Sequence, residues 1–304
     1  MEGTSRAWYE HPVSAFDRVM AQPASLAARY ALLEEWKTSN HPQAELLEKQ
    51  LAYRLITGTN LRSDRAHRLA SEINALIKQH GPAWAGRVHE LVPTYRFHRG
   101  LVAEVRLPGD KLLAVLPELL ALQPIQHVSL RAPWGDLEAV VTSPLLGKLS
   151  SLRIDGAGEA FGDCEAILLA RNPAISNLVD LTLCNNAIGQ TGAEALVASP
   201  HLAEVKYVSL EDNPYDPTPR VLDEGDGVYV PFRPPAADEV EATYGTRPWL
   251  ALPTGYLPTW PPPKDELALI LDYVTDEQLA RLEQLAIEVD RLEAGGEAEQ
   301  VTAG

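Results

Sequence analysis

Between about residues 100 and 215 the chain repeats one arrangement of apolar positions: an apolar residue, two variable ones, an apolar, one variable and an apolar. The copies are Val102-x-x-Val105-x-Leu107, Ile125-x-x-Val128-x-Leu130, Leu149-x-x-Leu152-x-Ile154, Leu178-x-x-Leu181-x-Leu183 and Val205-x-x-Val208-x-Leu210, spaced by 23, 24, 29 and 27 residues. Alternation of this kind predicts five short strands, each closed on one side and polar on the other. Between them, 111–122, 136–146, 163–170 and 191–198 carry apolar residues at helical spacing. A period of 20–50 residues is the mark of a solenoid, in which one unit cannot bury its own apolar face but stacked units share a core. The expected fold class is therefore α/β: parallel strands with a return helix after each.

The strand alternation also names the side chains on the open face. One row is Glu104, His127, Ser151, Asp180 and Tyr207; the next is Arg106, Ser129, Arg153, Thr182 and Ser209; the third is Pro108, Arg131, Asp155, Cys184 and Glu211. Arginines gather at the N-terminal end and acids at the other, so the face is polarised. Recognition of a partner protein across it is the expected function, because solenoids present extended surfaces.

The flanks read differently. Residues 1–99 predict helices over 14–20, 26–36, 42–56 and 63–80, with Ser14, Ser25 and Ser63 as N-caps and Gly81-Pro82 as a stop. Such a unit would cover the apolar edge of the first strand. Twelve of the 24 prolines fall over 214–263, which predicts an extended segment with neither regular helix nor central strand. Its apolar residues Tyr229, Phe232, Tyr244, Trp249, Leu250, Tyr256 and Trp260 predict packing on the body rather than a free linker. Residues 264–304 predict acidic helices, with a capping box at Thr275-Asp276-Glu277-Gln278 and a stripe of Leu282, Leu285, Val289 and Leu292. Packing on its own chain is the first reading of that stripe and self-association the second.

Charge sharpens the picture. The chain of 304 residues has a net charge of −16, with 14 basic and 12 acidic side chains over 1–110, 6 and 10 over 111–210, and 6 and 20 over 211–304. The acidity belongs to the C-terminal third, and the balance argues against a nucleic-acid partner. No apolar run is long enough to cross a membrane. No secretory signal opens the chain, and the 2 cysteines make no disulfide framework, so a cytoplasmic location is expected.

Chemical motifs are weak. Gly156-Ala157-Gly158-Glu159-Ala160-Phe161-Gly162 imitates a dinucleotide fingerprint, but Gly162 stands one residue late and the preceding strand is polar on one face. Gly147-Lys148 lacks the earlier glycine and the following hydroxyl of a phosphate loop. The 8 histidines show no metal-ligand spacing, so neither metal nor cofactor is expected. His127, Ser129 and Asp180 suggest a triad only in composition. Cys164 is expected inside a helix face and Cys184 on the open face.

Two resemblances sit on particular residues. Over 178–213, the strands with Asn186-Ala187-Ile188-Gly189, Thr191-Gly192-Ala193-Glu194-Ala195-Leu196 and Asn213 resemble leucine-rich repeats of the ribonuclease-inhibitor-like type. The earlier units depart from that pattern, with Asp110, Pro133 and Ala157 where it has Asn or Cys. Upstream, Arg29-Tyr30-Ala31-Leu32-Leu33-Glu34-Glu35-Trp36, Pro42-Gln43-Ala44-Glu45-Leu46-Leu47-Glu48-Lys49-Gln50, Trp84 and Phe97-His98-Arg99-Gly100-Leu101-Val102 are similar to the bacterial repeat-companion domain. The resemblances imply a short leucine-rich-repeat solenoid over 100–213, capped by a helical module over 1–99 and followed by a Pro-rich and helical tail. The function expected of the open face is a non-enzymatic interaction module, with capture of a toxin by an immunity or antitoxin-like protein, by analogy with inhibitor-type repeats, as a special case. The alternatives are a hydrolase using His127 or Cys184 and a part that self-associates through its C-terminal helices.

Overall fold

The computed structural model of the chain describes residues 13–59, 64–223 and 229–250. The expected helices over 264–304, the anchors Tyr256 and Trp260, and the cap Ser63 lie outside these residues. Among the described residues, α1 (Ala15–Ala21), α2 (Leu26–Thr38), α3 (Ala44–Thr59), α4 (Asp64–Ala85) and α5 (Arg87–Leu91) precede any strand. Ser14 and Ser25 start the first two, their hydroxyls accepting from the amides of Asp17 at 3.0 Å and Ala28 at 3.2 Å. Gly81-Pro82 does not stop α4, which runs on to Ala85. Pro82 is exposed and in the last turn, so water can serve the carbonyl that its missing N–H leaves open. The apolar stripe also continues past it, through Ile77, Trp84, Ala85 and Val88. The helix ends where Gly86 takes a positive φ of 53°.

A hairpin not read from the pattern follows. β1 (Thr94–His98) pairs antiparallel with β2 (Leu101–Pro108). Its turn residues, Arg99 at φ 51° and Gly100 at φ 80°, both need the left-handed region, as a tight two-residue loop demands. Gly100 has a second reason to lack a side chain, since a Cβ would come within 2.6 Å of Leu47. The helices grip this hairpin through its backbone: Gln50 accepts from the Gly100 amide at 2.7 Å and donates to the Phe97 carbonyl at 2.8 Å, while Arg29 donates to the Arg99 carbonyl at 3.0 Å.

From β2 onward strands and helices alternate. The order is α6 (Gly109–Leu122), β3 (His127–Arg131), α7 (Leu137–Val141), β4 (Ser151–Ile154), β5 (Gly158–Gly162), α8 (Asp163–Arg171), β6 (Asp180–Thr182), β7 (Asn186–Ala187), α9 (Gln190–Ala198) and β8 (Tyr207–Ser209). The expected helix over 136–146 is cut short at Val141, because Ser143-Pro144 opens a separate 3-10 turn (Pro144–Lys148). The principal sheet has the order β1-β2-β3-β4-β6-β8, parallel from β2 to β8. The protein is thus mixed α/β with a mostly parallel sheet. Val105, Leu107, Val128, Leu130, Leu152, Ile154, Leu181 and Val208 share one core with Leu112, Leu116 and Leu119 of α6, and with Leu169 and Leu196 of α8 and α9.

Two asparagines, Asn186 buried and Asn213 half-buried, join neighbouring units. Asn186 donates to the Ile154 carbonyl at 2.9 Å and accepts from the Ala157 amide at 2.8 Å. Asn213 does the same one unit later, donating to Leu183 at 2.7 Å and accepting from Ile188 at 3.1 Å. Each satisfies backbone groups where the chain leaves its strand.

The C-terminal part of the described chain holds β9 (Arg220–Asp223), β10 (Tyr229–Phe232) and α10 (Pro235–Tyr244), so a regular helix stands in the stretch where none was expected, because Pro235 falls in its first turn, where a missing N–H costs no helical bond. It packs on the body: Trp249 and Leu250 are buried in the main core, and Arg247 donates to the Val197 carbonyl of α9 at 3.0 Å. The hydroxyl of Thr218 accepts from the Leu210 amide at 3.3 Å, just past the end of the edge strand β8.

Candidate functional site

The register of the sheet sets the candidate residues in rows. Glu104, His127, Ser151, Asp180 and Tyr207 are successive partners across β2, β3, β4, β6 and β8. Arg106, Ser129, Arg153, Thr182 and Ser209 form the next row in the same way. Pro108 pairs with Arg131, and beyond the strand ends the amides of Gly156 and Asn185 donate to the carbonyls of Cys184 and Glu211. The third row, with Asp155, therefore continues alongside. Because side chains alternate, these rows point away from the shared core.

The face is open at one end and recessed along its floor. Arg106, Arg131, Arg153, Asp155 and Glu211 are exposed, and Glu104, Ser129, Ser151, Asp180 and Tyr207 are half-buried. Three members expected to be solvated are buried instead: His127 at 7% exposure, Thr182 at 3% and Ser209 at 7%. Short side chains lie low here and bond to neighbours. Thr182 donates to Asp180 at 3.2 Å, and Ser209 lies 3.0 Å from the Cys184 sulfur. His127 is covered by the His98 ring, 5.8 Å away and edge-on.

Electrostatics follow from that burial. Desolvation lowers His127 to a pKa of about 3, helped by the nearby His98, so it is a neutral imidazole at physiological pH. Burial pushes the Asp180 carboxyl up to about 6, against the pull of its Thr182 hydrogen bond and of Arg153. Glu104 goes the other way: burial raises it, but the hydrogen bond with His98 at 3.3 Å and the charge of Arg96 at 3.6 Å leave it below its usual range. Burial also raises the Cys184 thiol, which favours its protonated form. His127, Ser129 and Asp180 do not assemble as a relay. His127 and Ser129 share β3, Asp180 lies two strands away at about 10 Å, and its partner is Thr182.

Two placements differ from the sequence reading. Cys164 is exposed rather than packed, because α8 buries Ala166, Leu169 and Ala170 on another side. Cys184 is half-buried rather than open. Two residues the pattern did not supply, Arg96 and His98 of β1, border the face beside Glu104. The signal that could have found them is the Arg99-Gly100 turn. Among the described residues, no group of histidine, cysteine and carboxylate side chains is arranged to hold a metal, and no helix is long and apolar enough to cross a membrane. The chain matches no protein-family model, no curated protein and no solved structure.

Proposed function

We propose that the chain is a non-enzymatic protein-interaction module, a short leucine-rich-repeat solenoid whose open sheet face receives a partner protein. One observation carries this reading. The sheet runs in chain order, its inward apolar residues from Val105 to Val208 go to a core shared with the helices, and the opposite side chains form two continuous polar rows. A flat surface of that kind, polar and with a recessed floor of Thr182 and Ser209, suits contact with another macromolecule better than enclosure of a small substrate. The repeated roles of Asn186 and Asn213 support the repeat reading, since both tie a strand end to the next unit through the same pair of bonds.

The test is capture from the native host. Ser151→Arg places a large side chain in the middle of the first row, and Arg171→Glu changes the exposed end of α8 as a control. A protein identified by mass spectrometry with the wild type should be lost about tenfold with Ser151→Arg, ~1.4 kcal/mol, and retained with Arg171→Glu. Equal capture by both variants would remove the face as the site.

A further inference from the structure

Three guanidinium groups stand together on this face. Arg106 of β2 and Arg153 of β4 lie in one row with Ser129 between them, so their backbones are about 10 Å apart at two strand spacings. Arg131 is two residues further along β3, on the same side as Ser129. All three are exposed. Among the described residues none of them forms an ion pair, whereas Arg87, Arg220 and Arg233 each meet two carboxylates. Glu104, the nearest acid of the first row, is engaged by Arg96 and His98. Asp155, two residues past Arg153, and Asp180, on the neighbouring strand and drawn to Arg153, offset two of the three charges and leave a local excess of one.

A positive patch on a chain of net charge −16 selects by size. Screening confines its field to about 8–10 Å, so a long polyanion would gain here and be repelled over the rest of its length. A short segment with two or three carboxylates feels only the patch. Guanidinium forks also match carboxylates in a bidentate way, which an ammonium cannot do. Resting on the reading of this face as a docking surface, we propose that it binds an acidic peptide segment of its partner, with carboxylates set over Arg106, Arg131 and Arg153.

The experiment uses the full chain and a fluorescein-labelled peptide of about twelve residues alternating Glu and Ser, followed by anisotropy. Saturable binding is expected that weakens about tenfold between ~20 and ~200 mM salt. The same loss is expected at low salt in the triple variant Arg106→Gln, Arg131→Gln, Arg153→Gln, which keeps its melting temperature. Absence of saturable binding, or equal binding by the triple variant, overturns the proposal. So does a single-stranded DNA of the same length that binds as tightly and is lost in the same variant. If the captured partner is lost with Ser151→Arg but held fully by the triple variant, the acidic segment is wrong and the docking face stands.

Discussion

At the scale of single residues, two titrating groups on the face pull stability in opposite directions with pH. His127 sits near pKa 3 in the folded chain and returns to about 6.5 on unfolding. Below about pH 6.5 the unfolded chain therefore takes a proton that the folded chain refuses, and stability falls with acidification down to about pH 3. Asp180 sits near 6 when folded and near 3.9 when unfolded. Between about pH 6 and 4 the folded chain takes the proton first, so this group gains stability as pH falls. His127→Gln should flatten the acid side of a plot of melting temperature against pH, and Asp180→Asn should steepen it. A His127→Gln curve parallel to wild type between pH 7 and 4.5 would contradict the burial that places His127 there.

Among the elements, the 3-10 turns hold as much of the repeat as the strands do. Ser143-Pro144, Asn172-Pro173 and Ser199-Pro200 each open such a turn, their side chains accepting from the amides of Leu145, Ala174 and His201. Asn172 also donates to the carbonyls of Val141 and Ser143 at 2.8 and 3.2 Å, and Ser199 to Ala170 at 2.6 Å. The second and third of these turns are thereby tied to the end of the preceding unit's helix. Asn172→Ala strands those two buried carbonyls and should cost about 1–3 kcal/mol, read as a lower urea midpoint with unchanged slope. Unchanged stability would mean that the tie is not buried. These pairs recur at 29 and 27 residues, the same intervals as the strands beside them, so they were present in the sequence. They escaped notice because Ser and Asn before proline occur in ordinary turns, and nothing local tells a turn from a rung. The strands were legible because the apolar set Val105, Leu107, Val128 and Leu130 alternates with Arg106 and Ser129 on one side only. The β1 hairpin was not, since Thr94–His98 buries only Phe97 fully and its antiparallel partner is decided by the Arg99-Gly100 turn.

For the whole molecule, the sheet is closed at both ends by unlike parts. Helices α2 and α3 with the Arg99-Gly100 turn cover its beginning, through Leu32, Leu47, Leu51 and Leu101 in a second core. The 3-10 turn Pro248–Leu250 covers its end, through Trp249 and Leu250. Proline content marked where the C-terminal stretch begins, and its aromatic residues signalled that it packs, but not that Thr218 would meet the edge of the sheet at Leu210. The first two rows of the open face were readable down to individual partners, because the same apolar triplet recurs in every strand and fixes the register whatever the spacing. Their depth was not: Thr182 and Ser209 are short side chains that lie low and bond to Asp180 and Cys184 beside them. The most direct test of the docking face is a photo-reactive phenylalanine analogue placed singly at Arg153, or at Ala198 on exposed α9, and irradiated in the host cell. A defined protein adduct should form from position 153 and not from position 198. An adduct from 198 alone would contradict the account.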